Sequence, residues 1–210
     1  EENYMNLGDN FVQEGLVNRI TPFTTNKPGA KNFDTEKAYH NIMTRFKFGN
    51  LKQKGLYIDE TTMRMCYTHR RLLGQTALQL IAEGKKQKAI NILKKADVEI
   101  PTYNVPLDYL NGGIDMARGW LMTGQKAKGK EYVEAIWKNA SQYLNYYLSL
   151  PNDLFLQAEH DCIRQIMIMQ SICEAAGMVS PQLEQKYEKQ LNNLYRLYHG
   201  RGGRMPEGNQ

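Results

Sequence analysis

The sequence predicts an all-α fold: helical hairpins laid side by side as a short solenoid, with an irregular arm at the N-terminus. Three observations carry this. Apolar residues recur three or four apart over most of residues 34–199, glycines interrupt that period at 84 and 124, and prolines stand where helices must start or stop. The clearest unit is Leu73 to Pro101, LGQTALQLIAEGKKQKAINILKKADVEIP, two short helices folded back on each other at Ala82-Glu83-Gly84. Leu73, Ala77, Leu80 and Ile81 share one face of the first helix, and Ala89, Leu93 and Ala96 one face of the second. Gly84 can take the left-handed conformation that ends a helix without a Cβ clash. Small residues at Ala77 and Ala89 would let the two backbones approach closely.

Taken in order, residues 1–33 are the least regular part, an arm expected to lie on the helices, with a short strand or extended segment within Gly15-Leu-Val-Asn-Arg-Ile-Thr. A helix starts at Asp34, whose carboxylate can cap the first turn; Tyr39, Ile42, Met43 and Phe46 form its stripe and Gly49 is expected to end it. Leu51 to Asp59 reads as a loop. From Thr61 or Thr62 a longer helix runs to Ala82. Pro106 is expected to open the next helix, since its missing N–H costs nothing there; Leu107, Leu110, Ile114, Ala117 and Leu121 make its stripe up to Gly124. Lys126 to Leu148 follows, with Val133, Ile136, Trp137, Ala140, Leu144 and Tyr147. A helix from Asp153 to Ala176 is expected to stop at Gly177, and Ser180-Pro181 gives the cap and first-turn proline of the last one. Residues 34–199 thus form the helical-repeat domain, and 200–210 a polar tail expected to be mobile.

The hairpin at 73–101 resembles a tetratricopeptide repeat. Leu73 stands at that motif's Trp, Thr76-Ala77 at its Leu-Gly and Leu80 at its Tyr; Ala89, Leu93, Ala96 and Pro101 fall on the later Ala, Phe, Ala and Pro positions. The tryptophan, leucine, glycine, tyrosine and phenylalanine of the motif are all substituted, so register rather than identity carries the match. Aligning Gly124 with Gly84 repeats the pattern 40 residues on. Ala117 then falls on Ala77, Trp120 on Leu80, Gly129 on Ala89 and Val133 on Leu93.

Composition narrows the function. A net charge of +5 is spread along the chain apart from Lys85–Lys95 and a basic tail. With no recognised motif or aromatic-basic platform, this predicts a solvated helix face and no nucleic-acid partner. No run approaches the roughly 18 apolar residues of a membrane helix. A chain opening on Glu1-Glu2 is expected to be a piece of something longer, so the lack of a leader says nothing about compartment. Three cysteines, Cys66, Cys162 and Cys173, without CxxC spacing, read as buried small hydrophobes.

Little in the chain points to chemistry. The four histidines fall on different elements, and Glu159-His160-Asp161-Cys162 fans out around a helix axis instead of converging on a metal. No catalytic residue, metal or cofactor is expected. The tyrosines are suggestive: of thirteen, Tyr143, Tyr146 and Tyr147 share one helix and Tyr187, Tyr195 and Tyr198 another, which suits either a core edge or a contact surface. If the first helices of stacked hairpins line a groove, the register exposes Arg71, Gln75, Leu78, Asn111, Ile114 and Arg118 on it.

Four ordered blocks go further. ENYMNLGDNFVQEGLVNRITPF, AYHNIMTRFKFGN, YIDETTMRMCYTHRRLLGQTALQLIAEGKKQKAINILKKA and NYYLSLP together resemble the C-terminal soluble region of a family of multi-pass membrane proteins of unknown function from Gram-negative bacteria. The membrane half of that family is similar to dolichyl-phosphate-mannose protein O-mannosyltransferases. The resemblance spans roughly residues 3–150. It implies a non-catalytic domain on the periplasmic face of the inner membrane, tethered through its parent and holding a protein substrate or partner. The catalytic acids of such enzymes would belong to the membrane half. A different reading is a carbohydrate-acting or glycan-binding domain with a tyrosine-lined groove, which as an enzyme needs two carboxyl groups about 5–10 Å apart.

Overall fold

A computed structural model of the chain describes residues 10–22, 33–107 and 112–205. Among them eight α-helices and one two-stranded hairpin occur, in the order β1 (Phe11–Gln13), β2 (Asn18–Ile20), α1 (Thr35–Thr44), α2 (Glu60–Ala82), α3 (Lys86–Glu99), α4 (Gly113–Met122), α5 (Lys126–Ser149), α6 (Asn152–Gln157), α7 (Glu159–Val179) and α8 (Pro181–Gly200). The fold is all-α. Chain contacts divide it into two units, Glu1–Pro106 and Leu107–Gln210.

In the first unit the irregular arm contains a strand pair. β1 and β2 are antiparallel with Val12 opposite Arg19, and Gly15 makes the turn at φ 125°. The hairpin is pinned to α1: the Asn41 side-chain amide donates to the Glu14 carbonyl at 2.9 Å, and the Glu14 carboxylate accepts from Lys37 at 2.9 Å. Asp34 caps α1 by accepting from the Lys37 amide at 3.0 Å, as its sequence position requires. That helix stops at Thr44, five residues before Gly49. The amides of Arg45 and Phe46 both turn onto the Asn41 carbonyl, and Gly49, at φ 60°, shapes the loop beyond.

Helix α2 begins at Glu60, one or two residues before the expected Thr61 or Thr62, because the Asp59 carboxylate caps the Thr62 amide at 3.0 Å. Leu72, Leu73, Thr76, Ala77 and Leu80 are buried on α2, and Ala89, Ile92, Leu93 and Ala96 on the neighbouring α3. Each buried leucine or isoleucine contributes about 1.5–3 kcal/mol, so this seam holds the hairpin closed. Past α3, the fully buried Arg70 fixes the exit of the chain. Its guanidinium donates to the carbonyls of Ile100 (2.9 Å), Val105 (2.6 Å) and Pro106 (2.9 Å).

Pro106 therefore does not open a helix: its carbonyl belongs to this clamp, and a turn from Pro101 to Val105 precedes it. In the second unit α4 starts only at Gly113, after Gly112 at φ 69°. Leu110 lies outside the described residues.

The two hairpins α2/α3 and α4/α5 close in the same way. Gly84 has φ 77° and Gly124 φ 85°. The Lys85 amide reaches the Leu80 carbonyl at 2.7 Å, and 40 residues on the Gln125 amide reaches the Trp120 carbonyl at 2.9 Å. Glu83 bonds Gln79 at 3.0 Å, and its counterpart Thr123 bonds Gly119 at 3.1 Å. These are the paired backbone bonds that a left-handed C-terminal residue makes possible. The positions align as the sequence spacing requires, with one refinement at Gly129. A Cβ there would sit 2.5 Å from both Cγ and Cδ2 of Leu121, so the second crossing is tighter than the first, where Ala89 fits.

Within the second unit α5 packs against α4 and α7, α7 against α8, and α4 also against α7. The helix expected from Asp153 breaks at Ala158 into α6 and α7. Buried Phe155, edge-on to Tyr198 and 4.4 Å beneath the Arg201 guanidinium, draws the corner inward. Gly177 does not stop α7, which continues to Val179; its missing Cβ leaves room for the Glu184 carboxylate, which a Cβ would meet at 2.7 Å. Ser180 caps α8 through the Leu183 amide at 3.2 Å, with Pro181 in the first turn. The start of the polar tail is held. Gly203 donates to the Tyr198 carbonyl at 3.1 Å, and the Arg204 amide to the Glu159 carboxylate at 3.2 Å. Residues 206–210 lie outside the described part.

Candidate functional site

The six groove residues fall in both units. Arg71, Gln75 and Leu78 lie on α2, Arg71 exposed and the other two half-buried. Ile114 and Arg118 are half-buried on α4, and Asn111 lies outside the described residues. Ile114 lines a cleft of about 560 Å³ between α4 and α7, with His160, Ile163, Arg164, Met167, Ile168 and Ser171, which is not the groove between first helices that the register suggests. One turn further on, Arg118 is committed to Glu174 at 2.7 Å.

The polar run at 159–162 diverges, as consecutive helical residues must. Glu159 holds the tail, His160 lines the α4/α7 cleft, and Asp161 pairs with Arg164 at 3.1 Å. Cys162 is fully buried, and burial pushes its thiol up to about 11. Cys173 is likewise buried and pushed up to about 11, and Cys66 is raised for the same reason. Such thiols are neutral at physiological pH and poor nucleophiles.

A second groove, of about 530 Å³, runs between α5 and α8. Both helices pack on α7 but touch each other little, which leaves a trough between them. The α5 wall is Glu134, Trp137, Lys138, Ser141 and Asn145; the α8 wall is Lys186, Tyr187, Gln190, Asn193 and Leu194. At its floor the Trp137 and Tyr187 rings stack face to face, centroids 3.9 Å apart and planes 2° from parallel. Burial, with the Glu134 charge nearby, pushes the Tyr187 phenol up to about 12, so it stays a neutral hydroxyl.

The Trp137 indole N–H donates to Gln190 Oε1 at 3.1 Å. An indole can only donate, so this contact fixes Oε1 as the end of the amide that faces it and leaves the NH₂ as the other end. Lys138 and Lys186 stand one on each wall, and neither meets a carboxylate among the described residues. Among the described residues Glu134 is the single carboxylate of the lining, where glycoside hydrolysis uses a pair.

Sequence reasoning placed Trp137 and Tyr187 in apolar stripes and missed the trough. The signal was there: Glu134, Lys138, Ser141 and Asn145 form a polar row beside a tryptophan, an odd neighbour for a purely structural ring. The tyrosines divide. Tyr187 and Tyr198 are buried, whereas Tyr143 and Tyr146 are exposed and cluster with Tyr147. Among the described residues no helix is long and apolar enough to cross a membrane, and no group of three or more His, Cys, Asp or Glu could hold a metal. No family model, curated protein or solved structure matches this chain.

Proposed function

We propose that the chain is a non-catalytic, tetratricopeptide-like interaction domain that holds a protein partner. It would form the periplasm-facing C-terminal part of a membrane protein whose membrane half is glycosyltransferase-like. The observation that carries the first part is the hairpin used twice at a 40-residue offset, with matching glycine conformations and matching closing bonds. Repeated helical hairpins present long surfaces and few buried reactive groups, which suits binding better than turnover. The second part rests on the sequence blocks alone.

The chain, immobilised and exposed to bacterial envelope extract, is expected to retain a protein that, once purified, rebinds it saturably in a two-component titration. The same chain is expected to leave reporter glycans unchanged. Turnover of a glycan, or the absence of any saturable partner, overturns the interaction reading. A parent gene whose upstream half lacks repeated apolar stretches of about 20 residues overturns the membrane assignment and leaves the interaction reading standing.

A further inference from the structure

We propose that the α5/α8 groove is a docking site for an extended, carboxylate-bearing peptide segment, an assignment that deepens the interaction reading and rests on it. Three features of the trough point to this ligand.

The first is shape. From Glu134 to Asn145 the α5 wall rises about 16 Å, at 1.5 Å per residue. That matches about five residues of extended chain at roughly 3.3 Å each.

The second is the polar lining. Trp137 takes the Oε1 of Gln190, a residue of the lining, which leaves its NH₂ for a ligand. Asn145 commits its NH₂ to the Ser141 carbonyl at 2.7 Å, which leaves its carbonyl oxygen for a ligand. One wall thus offers an acceptor and the other a donor, the pair of functions that an extended peptide backbone needs satisfied.

The third is charge. Lys138 and Lys186 bring one ammonium to each wall, without a carboxylate partner among the described residues, while Glu134 lies within 3.7 Å of Lys130. A ligand carboxylate would complete the lysines.

Other ligands fit less well. A sugar or a nucleic-acid base needs an open aromatic face. Here the two rings cover each other, and Trp137 and Tyr187 are only 7% and 5% exposed. They link α5 to α8 across the floor of the trough.

The test is selection of a phage-displayed random dodecapeptide library on the full chain. Enriched peptides are then titrated against the wild-type chain and the variants Lys138→Ala, Lys186→Ala and Gln190→Ala. Lys94→Ala, an exposed lysine of α3, controls for loss of one positive charge. All four positions are exposed, and a circular-dichroism melt of each variant verifies its fold. The proposal expects Asp- or Glu-containing peptides whose affinity falls about tenfold in each lysine variant of the groove, the scale of one charge-assisted hydrogen bond, falls by roughly two- to tenfold in Gln190→Ala, the scale of a neutral one, and stays unchanged in Lys94→Ala. Peptides that bind the groove variants as tightly as the wild type overturn the groove assignment but leave the interaction reading intact. Selection of neutral or basic peptides overturns the ligand class. No enrichment at all counts against the groove and the peptide-holding role together.

Discussion

Replacing Gly129 by alanine tests the hairpin crossing directly. A Cβ on Gly129 would meet Leu121 Cγ and Cδ2 at 2.5 Å and the Leu121 amide nitrogen at 3.2 Å. Leu121 is only 6% exposed, so its side chain has little room to retreat. Forcing an extra methyl into a packed seam costs about 1–3 kcal/mol, set against the roughly 1 kcal/mol that alanine gains over glycine inside a helix. Gly177→Ala supplies the contrast, because its new methyl meets the movable end of Glu184. Much of the helix-propensity gain cancels between the two variants, so Gly129→Ala should be the less stable by about 1–3 kcal/mol. Urea denaturation followed by tryptophan fluorescence is the assay. Both tryptophans, Trp120 and Trp137, lie in the second unit, so the signal reports that unit alone. Equal midpoints for the two variants, or a Gly129→Ala protein more stable than wild type, would refute the close crossing. In a Leu121→Ala background the penalty of Gly129→Ala should shrink, a coupling on the order of 1–3 kcal/mol.

Further outcomes follow from other contacts. Arg70→Met removes the guanidinium shared by three carbonyls and leaves those of Ile100 and Val105 buried without it; far-ultraviolet circular dichroism should show a loss of roughly 1–3 kcal/mol for each, and a total loss below about 1 kcal/mol would contradict the clamp. Lys85 and Lys88 hydrogen-bond the Glu36 carboxylate and hold it well below its ordinary 4.5, at about 2. Its contribution to stability is therefore full above pH 4.5 and lost as pH falls toward 2; that window should flatten in Glu36→Gln, and a side-chain NMR titration midpoint near 4.5 would contradict it. The three buried cysteines should react with a thiol reagent at about pH 8 only at the rate of unfolding, and prompt labelling would contradict their burial. The Trp120 indole N–H is buried and meets no hydrogen-bond partner among the described residues, so Trp120→Phe should lose only packing. A larger loss than Trp137→Phe, which also breaks the bond to Gln190, would contradict this.

What could be read from the sequence was what local bonding decides. Asp34 and Ser180 cap helices because a short oxygen-bearing side chain satisfies the free amides of its own first turn. Gly84 and Gly124 end helices because only glycine enters positive φ at no steric cost, which is why a 40-residue offset was visible in spite of substituted motif positions. The failures are tertiary. Gly177 has the same composition signal as Gly84, yet it sits inside α7 because Glu184 of another helix takes the space of its Cβ. Pro106 could have begun a helix, but Arg70, 36 positions earlier, holds its carbonyl. Nothing near Ala158 marks a break; the inward pull on Phe155 comes from Tyr198 and Arg201, more than 40 residues away. The trough between α5 and α8 was hidden for the same reason, since its walls lie about 50 residues apart and are joined at Trp137, which stacks on Tyr187 and bonds Gln190.

The central claim is that one helical hairpin, closed by a left-handed glycine, is used twice at residues 60–99 and 113–149. Backbone NMR of the full chain tests it most directly. The account predicts helical carbon shifts across both pairs, positive-φ couplings at Gly84 and Gly124, and slow hydrogen exchange for the Lys85 and Gln125 amides that close the loops. Extended shifts in either stretch, or negative φ at either glycine, would contradict it.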